Sequence, residues 1–488
     1  MGDLVNKGTV APGNSIGTLN VLGNYTATSG SVLAIEVDNN NAYDILKVSG
    51  TATLDSGSVL ELQGGRFRQG VAYNFLQAPT VINNGLRIDS PPLLFLTPVL
   101  QAAGSGNGLS LTFNRNSIAF ARYTQTANQA SVANALDGFS AAPPSVLSTL
   151  YDDVLNARSD VFPGLMDQLG GELHASVQSG LFNQTGLWTD VSTRRLNSLL
   201  TTGYSVHKPM WVTIERQWSD MKGRAGTADA RYHTNGLYLG GDVALDKDMF
   251  MGAAFGYHET SSYMDERSSR ANIDSYTLAL YGGTRWQTSN GNVIHWRVSG
   301  SWTHQALDTR RHNITVGGEQ TLSADYDSQQ IYAYTELGYA FPLVATTALE
   351  PFARLGWTHQ RMGGFTETGG PAALYSRGQS NDITRMAFGL RSYSEFSISP
   401  ESMLRLTGEI AWGYASGDLT PQREMQFDRF RAARFIVKGN PTRRNALHVA
   451  LSGEVDMGKQ AVFGLNYSGK FGGGNTTNAG SLYVNVRF

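Results

Sequence analysis

A chain of 488 residues is long enough for two or three domains, so one fold need not account for all of it. Charged residues reach only 16% while glycine numbers 55 and aromatics make up 10%, a balance that favours strands and turns over helices. The 38 basic and 40 acidic side chains nearly cancel, at −2, which removes a general attraction to nucleic acid, and the absence of cysteine excludes disulfide scaffolds and thiolate metal sites.

The first residues, Met1 to Lys7, have no basic stretch leading into an apolar one and do not read as a secretory signal. If the chain is exported, a longer natural precursor is expected. Nowhere do about 18 apolar residues run together, so no transmembrane helix is encoded, and a β-barrel would leave no such run either.

From residue 8 to 112 the sequence is rich in Gly, Asn, Thr and Ser, with short apolar alternations such as Val32, Leu33, Ile35 and Val37. Turn residues at Pro12-Gly13-Asn14, Asn24, Asp38 to Asn41 and Ser56-Gly57 separate them at rung-length intervals. Two near-repeats, Gly23-Asn24-Tyr25-Thr26 and Gly50-Thr51-Ala52-Thr53, are each followed by a turn and an apolar strand. This pattern predicts a short right-handed parallel β-helix over residues 1–115, with a small sandwich as the rival.

Residues 116–208 change to helical spacing, marked by Val132, Ala135 and Leu136, then Leu150, Tyr151, Val154 and Leu155, then Leu165, Leu169 and Leu173. They are expected to form a helical linker. Its last piece, about 187–200, contains Asp190, Arg194 and Arg195 and leads into the first strand of residues 209–488 without a long linker. A helix placed there can lie inside a barrel, facing Glu215, Asp242, Glu336, Glu409 and Glu454, and the two arginines are expected to pair with such acids and hold a plug. The alternative is a solvated helix face in the periplasm.

Residues 209–488 alternate with period two. Ile294, Trp296, Val298 and Trp302 fall opposite His295, Arg297, Ser299, Ser301 and Thr303, while Leu237, Leu239, Val243 and Leu245 fall opposite Tyr238, Asp242 and Asp246. A soluble sandwich would alternate in the same way. Loop lengths separate the two readings. Short connections (Asp246 to Met249, Thr288 to Asn292, Pro342 to Thr347, Ser397 to Glu401, Met457 to Gln460) alternate with long ones (Ser261 to Asn272, Leu307 to Asp325, Met362 to Asn381, Ala415 to Asn445). That asymmetry belongs to an antiparallel transmembrane barrel with tight periplasmic turns and free outer loops, here of about twelve strands. The last strand places Leu482, Val484, Val486 and Phe488 on one face.

Several stretches resemble the C-terminal portion of monomeric (type V) autotransporters. Ala11-Pro12-Gly13-Asn14-Ser15-Ile16-Gly17-Thr18-Leu19 followed by Gly23-Asn24-Tyr25 is similar to the last rungs of their passengers. The runs Val132 to Asp137 and Gln168 to Ser176 look like the segment before the translocator, and Leu349-Glu350-Pro351-Phe352, Phe365 to Gly370 and Asn466-Tyr467-Ser468-Gly469 match barrel positions. The resemblance implies an outer-membrane translocator that delivers its own passenger to the surface of a Gram-negative cell, with a helix left in the pore and final rungs acting as an autochaperone. It implies as partners the β-barrel assembly machinery, which would read the terminal strand ending in Phe488, periplasmic chaperones, outer-membrane lipids and lipopolysaccharide. Some members cut themselves at an Asn-Asn pair in the pore helix, whereas this segment offers only Asn197.

Enzyme chemistry is not expected in this chain. All nine histidines lie from His174 onward, so residues 1–173 cannot supply a Ser-His-Asp triad, and no phosphate-binding or dinucleotide motif calls for a cofactor. Asp152-Asp153 reads as a solvated helix pair, and the basic run Arg423 to Arg444 as a solvated loop or a contact with lipopolysaccharide. Two other function classes stay open: a surface adhesin stem, and the remnant of a protease or lipase whose catalytic passenger lies upstream. A simple diffusion porin has no use for the helical and β-helical segments.

Overall fold

The computed structural model describes residues 2–104, 107–139, 145–202, 210–400, 402–457 and 461–486. The chain divides into two compact units, one comprising Met1–Gln125, Gln129–Leu169 and Thr315–Glu319, the other Thr126–Asn128, Gly170–Ile314 and Gln320–Phe488. The fold is all-β, with four α-helices among the described residues.

In the first unit, short parallel strands stack rung upon rung on three faces. One face holds Leu4–Asn6, Tyr25–Ala27, Thr51–Leu54 and Thr80–Asn83, and the next holds Thr9–Val10, Val32–Glu36, Val59–Gln63 and Arg87–Asp89. The third begins with Thr18–Val21, Ile45–Val48 and Tyr73–Gln77. Leu33 sits on Leu60 and Leu19 on Leu46, the same chain interval, so like residues ladder inward and Tyr25, Leu33, Leu46, Leu54 and Leu60 form a continuous core. The third face ends differently from the parallel expectation. Leu109–Arg115 runs antiparallel to Tyr73–Gln77 and to Leu96–Ala102, and a reversed strand cannot carry the rung repeat further.

The helices Ala127–Asp137 and Ser148–Leu155, and Phe162–Gly170 as far as Leu169, belong almost wholly to this first unit, so the expected linker is divided between the two units. Packing explains it. Phe95 meets Phe120 and Phe162 with ring centres 4.6 and 5.0 Å away, and Asn156 bonds both the amide and the carbonyl of Phe67 at 2.9 Å. The Asp152-Asp153 pair is not a solvated face: Asp152 is buried and paired with Arg68 at 3.3 Å, and Asp153 is paired with Arg66.

The second unit is a closed barrel of twelve strands: Met210–Met221, Ala230–Asp246, Met249–Met264, Ser269–Gln287, Val293–Ile314, Gln320–Val344, Thr347–Met362, Gln379–Ser399, Ser402–Gly417, Asn445–Asp456, Ala461–Gly472 and Asn475–Val486. Every neighbouring pair is antiparallel, and the last strand closes on the first with Leu482 opposite Ile214. The alternation is inside out relative to a soluble sandwich. Leu237, Leu239 and Val243 are 37%, 44% and 52% exposed, whereas Tyr238 and Asp242 between them are 2% and 3% exposed. An apolar row of that length facing outward is stable only against lipid.

Tight turns lie at one end of the barrel and the longer connections at the other, but two expected loops are mostly strand. Ser261 to Asn272 and Leu307 to Asp325 continue the ladder nearly to their tips. These stretches carry polar residues on both faces, so they pair without the apolar period that marks a membrane strand. The two longest outer connections also fold: Phe365–Thr366, Leu374–Ser376, Gln422–Phe427 and Phe430–Lys438 make a separate four-stranded sheet. At the C-terminus, Leu482 faces outward and Val484 shares its face, while the Val486 side chain and Phe488 lie outside the described residues.

Candidate functional site

A single helix, Glu172–Thr202, fills the lumen. Its 31 residues extend about 46 Å, longer than the roughly 30 Å hydrocarbon thickness of a membrane. It begins well before the expected 187–200 because residues 172–186 mix apolar and small polar positions without the one-sided stripe that signals a surface helix. Being enclosed by a wall, it is buried on nearly every side. Its first residue, Glu172, lies at the long-loop mouth, where it accepts the Ala228 amide at 2.7 Å and Arg267 Nε at 2.9 Å. Near its other end the Leu200 carbonyl accepts Arg285 Nη1 at 2.9 Å, close to the tight turns.

Small residues let it approach the wall, and hydroxyls match hydroxyls across the gap. A Cβ on Gly180 would lie 2.2 Å from Tyr232 Cε1, so only glycine fits where Tyr232 donates to the Ser176 carbonyl at 2.8 Å. Trp188 Nε1 donates to Ser299 Oγ at 2.8 Å, Thr189 meets the Tyr332 hydroxyl at 2.6 Å, and Ser192 meets that of Tyr334 at 3.0 Å. These bonds satisfy groups that a dry interface would strand.

Charge adds register. Arg194 donates to Glu215 at 3.2 Å and to Ser481 at 2.9 Å; Arg195 Nε donates to Asp242 at 2.9 Å. Asp190 accepts Ser468 at 2.9 Å and Lys470 at 3.2 Å, and Ser198 reaches Glu454 at 3.4 Å. The other two predicted acids serve the wall. Glu336 binds Arg297, Arg354 and Arg391, and Glu409 binds Arg391 at 2.7 Å, in a buried cluster centred on Glu350. Arg354 of that cluster reaches back to Thr193 at 3.4 Å, and His448 stands between Glu409, at 3.2 Å, and Asp190 of the helix, at 3.7 Å.

Sequence reasoning missed the outer clamp. His174 bonds Glu367 at 2.8 Å and stacks on Phe365 at 3.9 Å, Glu367 takes Arg311 at 2.7 Å, and Ser176 bonds Asn440 at 2.9 Å. Phe365, Glu367 and Asn440 all come from the folded outer connections. The basic run is likewise partly structural, because Arg423 is fully buried and donates to Ser376 at 2.8 Å and to the Gly363 carbonyl at 2.5 Å. Arg431 covers the Tyr375 ring at 3.8 Å.

The autotransporter β-domain model matches residues 210–468. An extracellular serine protease of Serratia marcescens is 27% identical over 534 residues, covering 99% of this chain and 50% of that protein. Outer membrane protein B of Rickettsia japonica is 19% identical over 414 residues, covering 80% of this chain and 24% of that protein. The chain thus spans half the length of the first of these relatives and about a quarter of the second. Among solved structures, the translocator domain of the autotransporter NalP from Neisseria meningitidis superposes with a TM-score of 0.47 at 14% identity, over 63% of this chain and 98% of that one.

Proposed function

The chain belongs to the autotransporter family, and from that premise we propose that the helix Glu172–Thr202 is the part of the exported chain that stays behind and seals the pore. The protein is an outer-membrane translocator of a Gram-negative bacterium, and its β-domain is not itself a catalyst. What carries the reading of the helix is its direction: it enters at the long-loop mouth and ends beside the tight turns, so the chain ahead of Glu172 is delivered outward. Arg194 and Arg195 hold the seal through Glu215 and Asp242, and Asp190 holds it through Lys470.

On this reading residues 1–115 are the last rungs of the passenger, 116–208 the connecting helices and 209–488 the translocator. Rungs stabilised by stacking on a neighbour can fold from a finished end, which draws the remaining chain out without ATP. The assembly machinery reads the closing strand, periplasmic chaperones hold the unfolded precursor, and lipopolysaccharide surrounds the outer loops. A second reading, favoured by the name of the Serratia relative, is a serine protease carried ahead of these rungs, with its histidine outside residues 1–173.

An epitope placed before Gly8 tests the direction. External protease on intact cells is expected to remove it. An epitope protected until the outer membrane is broken, with the barrel inserted, would leave residues 1–115 in the periplasm and overturn the reading.

A further inference from the structure

One lumen cavity carries charge that the seal does not use. It measures about 140 Å³, lies between helix residues Phe182 to Thr189 and the wall, and is lined by Arg354, Arg385, Arg443, Arg444, His448 and Lys470 with no carboxylate among the lining residues. Some of these cations are answered from just outside it. Arg354 Nε donates to Glu336 at 2.7 Å, His448 lies 3.2 Å from Glu409, and Lys470 lies 3.2 Å from Asp190.

The others have only neutral partners among the described residues. Arg385 donates to Thr358 Oγ1 and to the Phe182 carbonyl, both at 3.3 Å. Arg443 donates to the Lys470 carbonyl at 2.6 Å and to Thr477 Oγ1 at 2.8 Å, while its buried Nε has no partner. Arg444, at the mouth, reaches the Tyr414 hydroxyl at 3.2 Å. Arg385 and Arg443 are half-buried, so water answers their charge only in part, and the planar fork of guanidinium donors suits an oxyanion. The volume exceeds by roughly tenfold the ~10–15 Å³ that admits one water.

We propose that this cavity is an anion site, taking a small oxyanion such as inorganic phosphate between Arg385 and Arg443 and so tying the helix to the wall at Phe182. The site rests on the helix being seated, as in the reading above, because Phe182 to Thr189 form one of its walls.

The test uses the full chain folded in detergent and equilibrium dialysis against radiolabelled phosphate at low chloride. Saturable binding of one phosphate per chain is expected, weakened roughly tenfold or more by Arg385→Gln and by Arg443→Gln and largely kept by Arg385→Lys, which preserves the charge. No saturable binding by the parent chain would overturn the proposal whatever the variants do. So would Gln variants that run as folded barrels on unheated gels and bind like the parent. Planar-bilayer recording of the same sample separates the two ideas: a sealed pore that binds no phosphate sinks the anion site alone, whereas an open pore sinks the seal and the site with it.

Discussion

Arg195 of the pore helix lies against Asp242 of the second barrel strand, and the same carboxylate takes the hydroxyl of Tyr281. Arg194, one position earlier, turns to Glu215 of the first strand. Successive helix residues point about 100° apart, so neighbouring arginines engage two strands and fix both depth and rotation. Arg195→Gln leaves Asp242 without its counter-charge, at a cost of roughly 3 to 5 kcal/mol in a dry interior and less where lumen water reaches it. Single-channel recordings should then show frequent bursts of conductance while the barrel still migrates as folded. A trace as quiet as the parent's would remove this pair from the seal.

Glu350 belongs to the wall and not to the helix. It accepts Arg297 at 2.7 Å, Arg391 at 2.9 Å and Tyr393 at 3.0 Å, and lies 2.6 Å from His295 Nδ1. Glu350→Gln leaves two buried guanidiniums with less charge between them. The temperature at which the folded band is lost on semi-native gels should fall, without added conductance. An unchanged temperature would mean that Glu336 and Glu409 suffice.

Gly180 sets how closely the helix approaches Tyr232. A methyl group there overlaps the ring, so Gly180→Ala is expected to lift the outer half of the helix and expose it to external protease. Pairing it with Tyr232→Ala should restore protection in part, even though the bond to the Ser176 carbonyl is lost. If the double variant is as sensitive as the single one, overlap with that ring is not the cause.

In the first unit, burial raises the carboxyl pKa of Asp152 more than Arg68 and Arg66 lower it. The folded state therefore holds the proton at pH values where the unfolded chain, with a carboxyl pKa of about 3.9, has released it. The contribution of Asp152 is fully present below that value and is lost as pH rises through the folded one. Hydrogen exchange at residues 59–77, corrected for intrinsic rates, should show protection declining across that window, and Asp152→Asn should flatten the decline. A variant with the parent's slope would place its origin elsewhere.

The barrel was legible because lipid demands one apolar face, and Leu237, Leu239, Val243 and Leu245 keep to one face with Gly241 the one break among them. The segment holding Arg194 and Arg195 was legible because charged residues stood directly before the first strand. The rest of the helix was hidden: most of His174 to Gly186 is buried by a polar wall, so no apolar stripe announces it. The outer clamp was equally silent, since His174 and Glu367 are nearly two hundred residues apart and neither sits in a periodic segment. Nor did the Gly and Ser composition of the rungs foretell the antiparallel end at Leu109–Arg115. That end depends on what stacks above, which a repeat cannot encode.

The folded outer connections have a consequence for economy. On the reading proposed above, Phe365, Glu367 and Asn440 grip a helix that belongs to the same chain as the barrel, so the occupant of the channel cannot diffuse away and make room for another. Such a conduit works once. On that reading the number of molecules displayed on a cell is set by how many copies are synthesised, with no turnover rate to regulate, and control of output falls to expression and to the folding of each new barrel.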